Sequence, residues 1–178
     1  MKFTDTNIHG VKAIKLNAHS DKRGIFVKTF HSGLFAEHGI KTSFKESFYS
    51  VSAKDVIRGM HFHLPPHAHD KLVYVVSGKI TDVVLDLRKK SPTYGRYISE
   101  EMSSENRKAI YIPAGCAHGF LSLEDNSIVM YEQSSLYDHK ADAGILWNSF
   151  GMNWGVTSPI ISERDGSFTA FGSFDSPF

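Results

Sequence analysis

The densest group of side chains that could do chemistry is in the segment RGMHFHLPPHAHDKLV, residues 58–73. It contains Arg58, Lys71 and four histidines within nine residues, namely His61, His63, His67 and His69. Alternate side chains of a strand share a face, so we expect His61 and His63 to point the same way. An imidazole can take up a proton near neutral pH, and it can also bind a metal ion. The segment therefore predicts either a general acid–base site or a metal site.

A second segment with histidine chemistry is IPAGCAHGF, residues 112–120, in which Pro113 and Gly115 turn the chain before His118. The first segment has the spacing His-x-His, and the second has Pro-x-Gly-x-x-His. In this order the two spacings resemble the two motifs of the cupin superfamily. The resemblance implies a double-stranded β-helix, also called a jelly roll.

A divalent metal is the first chemistry to weigh, because many cupins hold one with these histidines. The candidate ligands are His61, His63, His118 and one of His67 or His69. The glutamate that usually follows His-x-His in cupins is missing here, and the cationic Lys71 lies close by in the sequence. The pattern therefore favours a site with no metal and no cofactor, with a metal-dependent cupin isomerase or oxygenase as the alternative.

The elements that must position these residues are predicted to be short strands broken by Gly, Pro, Asn and Asp. About nine strands are expected, over residues 10–16, 25–30, 44–51, 56–62, 71–76, 79–88, 108–112, 117–123 and 128–134. One helix is expected over 32–38, capped by Ser32 and ended by a left-handed Gly39, with a weaker helical turn over 103–106. The prediction is an all-β jelly roll with a few short helices, forming a single domain over residues 1–178. The C-terminal FTAFGSFDSPF is apolar enough to pack on the barrel or on a partner subunit.

The bulk composition is that of an ordinary globular protein, with 41% hydrophobic and 22% charged residues and a net charge of +1. The longest basic run is Arg88 to Lys90, so no nucleic acid or membrane surface is expected as a partner. The single cysteine, Cys116, fits a reducing compartment. No apolar run reaches the roughly 18 residues that span a bilayer. We expect a cytoplasmic protein.

A more specific resemblance runs from about Asp21 to Asp165 and rests on family motifs. They are DKRGIF, SVSAKDVIRGMH, KLVYVVSGKITDVVLDLRKKSPTYG, IPAGCAHGF, Tyr131, GILW and SERD. With these motifs the chain resembles the dTDP-4-dehydrorhamnose 3,5-epimerase family. The resemblance implies a metal-independent isomerase that inverts C3, C5 or both of a nucleotide-linked 4-keto-6-deoxyhexose. It also implies a homodimer that exchanges an N-terminal strand.

The resemblance also implies a role for individual residues. His61 corresponds to the base, Tyr131 to the acid, and Asp165 to the carboxylate that orients the histidine. Contacts with the sugar and the phosphates fall on Arg23, Arg58, Lys71, His118, Asp142 and Arg164. The residue types suit the reaction, because the C4 ketone acidifies the neighbouring C–H bonds and an imidazole with a pKa of about 6.5 is a suitable base. Lys71 is our choice for stabilising the charge that develops on the C4 oxygen.

Several positions depart from the family pattern, and all are expected in the substrate pocket. Lys28 stands where an acidic residue is usual, and Glu46 and Phe48 stand where Gln and Asn are usual. His63 and His69 replace glutamines. We expect Lys28, Glu46 and His63 to contact the substrate, and we hypothesise that Lys28 pairs with Glu46. The nucleotide, the sugar and the carbon inverted stay open, as do a sugar-nucleotide 3,4-ketoisomerase and a binding protein without catalysis.

Overall fold

The computed structural model describes residues 1–40 and 43–178, and its regular structure is almost entirely strands. In chain order the elements are β1 (Lys2–Asp5), β2 (Lys12–Lys15), β3 (Asn17–Asp21), β4 (Gly24–Lys28), α1 (Ser32–Glu37), β5 (Glu46–Ser52), β6 (Ile57–His63), β7 (Lys71–Ser77), β8 (Lys79–Asp86), β9 (Tyr97–Ser103), β10 (Lys108–Ile112), β11 (Cys116–Ser122), β12 (Ser127–Gln133), β13 (Asp142–Gly144) and α2 (Glu163–Gly166). A 3₁₀ helix follows at Phe171–Ser173. No helix in the part of the chain described here is long and apolar enough to cross a membrane.

The strands form two main sheets that face each other. The six-stranded sheet has the order β1-β2-β10-β7-β12-β5, and the five-stranded sheet has the order β13-β6-β11-β8-β9. Their ladders are antiparallel, and β3 with β4 forms a separate hairpin. From β5 to β13 the chain passes from one main sheet to the other at every connection except that between β8 and β9, which are neighbours in the five-stranded sheet. This is the jelly roll that the sequence predicts.

The core between the sheets gives way to polar side chains at one end of the barrel. On β12 the buried row runs Val129, Tyr131 and Gln133, and on β7 the row that contains Val73 ends at Lys71. The ladder pairs Gln133 with Lys71 and Tyr131 with Val73. Alternate residues of a strand share a face, so these polar groups point into the same open end of the barrel. That end holds the candidate site.

The outer face of the five-stranded sheet is covered by the C-terminal segment. The ring of Phe62 lies 5.4 Å from that of Phe174 and 5.9 Å from that of Phe178, both in edge-to-face geometry. Phe171 and Trp154 pack in the same apolar cluster. The prediction that the phenylalanine-rich terminus packs on the barrel is confirmed.

Some local predictions were wrong. The cap of α1 is His31, whose Nδ1 accepts the Leu34 N–H, because His31 is extended where the helix begins. Gly39 does have the predicted left-handed conformation, with φ +71°. The expected helical turn forms as a single turn over residues 104–107, closed by the Arg107 N–H, which donates to Ser103 O at 2.9 Å. Sequence reasoning also missed four strands and one helix, namely β1, β3, β9, β13 and α2.

Candidate active site

The open end of the barrel contains a cavity of about 410 Å³. Its walls come from both sheets and from the loop and helix that follow them. The lining residues are Glu46, Phe48, Ser50, Arg58, His61, Phe62, His63, Lys71, His118, Tyr131, Gln133, Tyr137, Asp142 and Arg164. Nine of the twelve residues predicted for the site line this cavity. A tenth, Asp165, lies behind the lining and contacts His61.

His61 and Asp165 form a hydrogen-bonded pair at the floor of the cavity. His61 Nε2 lies 2.9 Å from Asp165 Oδ1, and the carboxylate's other oxygen accepts the Gly59 N–H at 3.0 Å. Burial alone would raise the pKa of Asp165, but the hydrogen bonds from His61, Gly59 and Ser162 lower it below its ordinary value. A carboxylate accepts hydrogen bonds, so Nε2 carries the proton and Nδ1 keeps a lone pair for chemistry.

The short helix α2 delivers this carboxylate. Ser162 caps the helix, since its hydroxyl accepts the Asp165 N–H at 3.1 Å.

The neighbouring strands β6 and β11 must pass each other closely at this point. A Cβ on Gly119 would lie 2.7 Å from Arg58 O and 3.0 Å from Gly59 Cα, so only glycine fits there.

Tyr131 faces the cavity from the opposite sheet. Its ring stacks on Phe48, its cross-strand neighbour, with centroids 4.8 Å apart and planes 15° from parallel. Its hydroxyl lies 3.4 Å from Ser50 Oγ. Burial raises the pKa of Tyr131, so its hydroxyl stays protonated at neutral pH.

Lys71 is buried beside His61, and its Nζ donates to the His61 carbonyl oxygen at 3.2 Å. Burial lowers the pKa of Lys71 to about 8, and the charges of Asp142 and Asp82 partly offset that effect. A buried cation with one protein acceptor can donate its remaining N–H groups to a ligand. Lys71 therefore presents a positive hydrogen-bond donor within the cavity.

His118 forms a second histidine–carboxylate pair. Its Nε2 lies 2.7 Å from Asp82 Oδ2, and both side chains are almost fully buried. His118 sits opposite His61 in the β6–β11 ladder, and its ring meets that of Tyr131 edge-on at 6.1 Å. As with His61, the carboxylate fixes one ring nitrogen and leaves the other for a ligand.

Two arginines lie at the rim of the cavity. Arg58 Nε donates to Ser52 Oγ at 3.0 Å, and its Nη2 donates to Val51 O at 3.2 Å. Arg164 Nη2 pairs with Asp142 Oδ2 at 2.8 Å and stays half exposed. Both guanidiniums keep N–H groups that could donate hydrogen bonds to an anionic ligand, and their planar geometry suits phosphate oxygens.

Arg23, Lys28 and His69 were expected in the pocket but do not line this cavity. His69 is buried against the His63 ring. Arg23 and Lys28 belong to the exposed β3–β4 hairpin, where Arg23 pairs with Asp21 and is 84% exposed. Among the described residues no ion pair joins Lys28 to Glu46, so the hypothesised pairing is not formed within this chain. Glu46 instead accepts the Tyr137 N–H at 2.6 Å.

The extra histidines do not assemble a metal site. Within residues 1–40 and 43–178, no group of three or more His, Cys, Asp or Glu side chains is arranged to hold a metal ion. The Nε2 atoms of His61 and His118 are both taken by carboxylates. Burial lowers the pKa of His63, and it lowers that of His69 to about 3, so both rings are neutral.

Sequence reasoning missed four lining residues, namely Phe62, Ser50, Gln133 and Tyr137. Two of them had a usable signal in the two-residue period of strands. Ser50 continues the row Glu46 and Phe48 on β5, and Gln133 follows Tyr131 on β12. Tyr137 lies in a loop, where no periodicity indicates the direction of a side chain.

Known proteins resemble this chain over nearly its whole length. A family model described as dTDP-4-dehydrorhamnose 3,5-epimerase matches residues 5–173. A curated relative of that name from Methanothermobacter thermautotrophicus is 40% identical over 169 residues, which cover 92% of this chain and 91% of the relative.

Solved structures extend the likeness to three dimensions. The dTDP-4-dehydrorhamnose 3,5-epimerase of Bacillus anthracis, with TDP and PPi bound, has a TM-score of 0.91 at 36% identity and covers 94% of this chain and 97% of its own. The dTDP-6-deoxy-D-glucose-3,5-epimerase of Legionella pneumophila, in complex with dTDP-4-keto-L-rhamnose, has a TM-score of 0.93 at 29% identity and covers 98% and 94%. The chain belongs to the dTDP-4-dehydrorhamnose 3,5-epimerase family of isomerases.

Proposed function

We propose that this protein inverts C3, C5 or both of a dTDP-linked 4-keto-6-deoxyhexose by proton transfer through an enolate. The observation that carries the proposal is the His61–Asp165 pair in a cavity whose opposite wall holds Tyr131. The named substrates of the relatives support the choice of nucleotide and sugar.

The first step is removal of a proton next to the C4 ketone. His61 Nδ1 takes the proton, while the Nε2–H hydrogen bond to Asp165 fixes the ring and stabilises the imidazolium that forms. The carboxylate is itself held by the Gly59 N–H, so it can orient the ring without moving. The electron pair of the C–H bond becomes the enolate, and negative charge develops on the C4 oxygen.

Lys71 is our candidate for stabilising that oxygen. It is cationic below a pKa of about 8, it is buried, and it is anchored to the His61 carbonyl, so its charge acts in a site that largely excludes water. Its position beside the base supports a contact with the atom adjacent to the reacting carbon.

Inversion requires that the proton return on the other face of the sugar. His61 belongs to the five-stranded sheet and Tyr131 to the six-stranded sheet, so the two groups approach a ligand from opposite walls. We assign Tyr131 as the acid, because burial keeps its hydroxyl protonated until the enolate carbon takes the proton. Solvent then restores both groups to their starting states.

The diphosphate is assigned to the cationic rim. Arg58 and Arg164 line the cavity, and Asp142 holds Arg164 in place. His118, fixed by Asp82, supplies a further polar contact inside the cavity. These side chains give the ligand its orientation, on which the proton transfers depend.

We also propose that the protein acts as a homodimer in which the β3–β4 hairpin packs against a second copy. Phe26 is 62% exposed and Ile25 is 49% exposed on this hairpin, and exposed apolar side chains on a strand favour burial by a partner. In such a dimer Arg23 and Lys28 could reach the cavity of the partner subunit. This would explain why neither residue lines the cavity of its own chain. Light scattering should give a mass of twice the 19.9 kDa of one chain. Phe26→Asp should reduce the measured mass to that of a single chain.

Deuterium exchange tests the proposed function directly. The purified protein is incubated in deuterated water that contains a chelator. Separate samples receive a 4-keto sugar linked to thymidine, guanosine or cytidine diphosphate. Incorporation at C3 or C5 of the thymidine-linked sugar is expected. The labelled carbon identifies where the proton is exchanged, and NMR of the sugar protons shows whether that carbon is inverted. No incorporation with any of the three would overturn the proposal, and activity that requires a stoichiometric metal would favour the metal-dependent alternative.

A further inference from the structure

The loop between β12 and β13, residues 134–141, crosses from one sheet to the other at the mouth of the cavity. It carries Tyr137, which lines the cavity and is 53% exposed. The Tyr137 hydroxyl donates to Asp142 Oδ2 at 3.2 Å, beside the Arg164 pair. This loop therefore forms a wall of the site without being part of either sheet.

Two cavity side chains accept the backbone N–H groups of consecutive residues in this loop. Glu46 Oε2 accepts the Tyr137 N–H at 2.6 Å, and His63 Nε2 accepts the Asp138 N–H at 3.4 Å. Glu46 begins the edge strand of the six-stranded sheet, and His63 ends β6 of the five-stranded sheet. The loop is thus fastened to both sheets at adjacent peptide groups.

From this geometry we propose that Glu46 and His63 are positioning residues that fix the Tyr137 wall and so set affinity for the nucleotide sugar. The inference rests on the proposed function for the identity of the ligand. It assigns Glu46 and His63 to the loop and not to the proton transfers. Their part in substrate binding is therefore indirect and acts through Tyr137.

The surroundings of His63 suit a neutral acceptor. His63 is 6% exposed, and its ring meets Tyr137 edge-on at 5.5 Å. It can accept through Nε2 only when that nitrogen is unprotonated. The neighbouring His69 ring is 4.6 Å away, and the facing charges are Lys71, Asp142 and Asp138. Burial is the largest influence, and it favours the neutral ring.

The first experiment needs no ligand and measures amide hydrogen exchange of the loop by NMR. Glu46→Ala should speed exchange at the Tyr137 amide by roughly tenfold, because the acceptor is lost. Glu46→Gln keeps an acceptor oxygen and should retain most of the protection. His63→Ala should speed exchange at Asp138 by a smaller factor, since that bond is longer, and His63→Gln should restore protection. Unchanged protection in both alanine variants would overturn the proposal.

The second experiment measures binding of dTDP by titration calorimetry in a double-mutant cycle. Glu46→Ala and Tyr137→Ala should each weaken binding by roughly three- to tenfold. The two together should cost no more than Tyr137→Ala alone, because the clamp acts through that ring. Additive losses would show that Glu46 touches the ligand directly and would overturn the proposal. Glu132→Gln, on the neighbouring strand but outside the cavity lining, is the matched control.

A kinetic readout separates positioning from catalysis. If the proposal holds, Glu46→Ala raises KM and leaves kcat within about twofold, since ground-state binding and not the proton transfer is affected. A fall in kcat with an unchanged KM would contradict it. Failure of the proposed function is recognised separately, because wild-type protein would then neither bind dTDP nor exchange deuterium, while the amide-exchange result would stand.

Discussion

His61 Nε2 and Asp165 Oδ1 are 2.9 Å apart, although 104 residues separate them in the chain. Asp165 reaches the strand that carries His61 because α2 packs on that strand and Ser162 caps the helix. The Gly59 N–H binds the second carboxylate oxygen, so the carboxylate cannot rotate away from the ring. The consequence is a histidine with one ring nitrogen fixed and the other directed to a ligand.

Replacing Asp165 by asparagine tests this pairing. An amide has the same shape but cannot stabilise an imidazolium, and it can also favour the wrong tautomer of His61. We expect kcat to fall by roughly 10²- to 10⁴-fold, by analogy with other histidine–carboxylate pairs. The measurement is the initial rate of deuterium incorporation. Asp175→Asn, which changes an exposed carboxylate, serves as the control, and an equal loss in both variants would refute the role.

Tyr131→Phe should separate proton removal from inversion. The base is untouched in this variant, so deuterium should still enter the substrate, while the inverted product forms at least roughly 10²-fold more slowly. NMR of the sugar protons distinguishes retained from inverted configuration. Tyr49→Phe, on the exposed face of β5, is the control. Full inversion by Tyr131→Phe would show that another group delivers the proton.

The sequence predicted the jelly roll because strands have a short, local pattern and because the two histidine motifs specify which fold it is. The contents of the cavity were predictable where a motif named the residue, as for His61 and Tyr131. Period-two reasoning on β5 and β12 would have added Ser50 and Gln133.

The remainder depends on contacts that no local pattern encodes. The bond from the Tyr137 N–H to Glu46 spans 91 residues and ends on a loop backbone. Arg23 and Lys28 lie on a hairpin that does not reach the cavity of its own chain, so a residue-by-residue match could not give their position. The strand β13 has only three residues, and it forms because β6 offers a free edge at His61 to His63.

Lys71 should give the reaction a high-pH limb. Its pKa is lowered to about 8, so it is charged below that pH and loses its charge above it. We expect kcat to fall as the pH rises through about 8, and Lys71→Met to be slower by roughly 10²-fold at pH 7, with no such limb. Rates measured from pH 6 to 10 in both proteins check this. A limb that persists in Lys71→Met would assign it to another group.

The same ionisation affects stability with a defined sign. Between the folded pKa of about 8 and the ordinary value of 10.5, the unfolded chain binds a proton at Lys71 that the native chain does not. The free energy of unfolding therefore rises with pH over this window, relative to Lys71→Met. Urea denaturation of both proteins at pH 7.5 and 10 measures the difference. A free energy of unfolding of the wild type that stays constant or falls from pH 7.5 to pH 10, relative to that of Lys71→Met, would contradict the lowered pKa.

Gly119→Ala should destabilise the barrel at the point where β6 and β11 pass closest. The new Cβ would lie 2.7 Å from Arg58 O and 3.0 Å from Gly59 Cα, and backbone atoms cannot swing aside as the end of a side chain can. We expect a loss of about 1–3 kcal/mol in the free energy of unfolding, the usual cost of overpacking. The midpoint of thermal unfolding would then fall by about 2–4 °C per kcal/mol. Gly172→Ala meets no atom within 4 Å and should leave the midpoint unchanged. Because the strained contact adjoins Gly59, whose N–H holds Asp165, the surviving folded fraction should also be slower in proton exchange. Wild-type stability in Gly119→Ala would mean that the two strands can separate without cost.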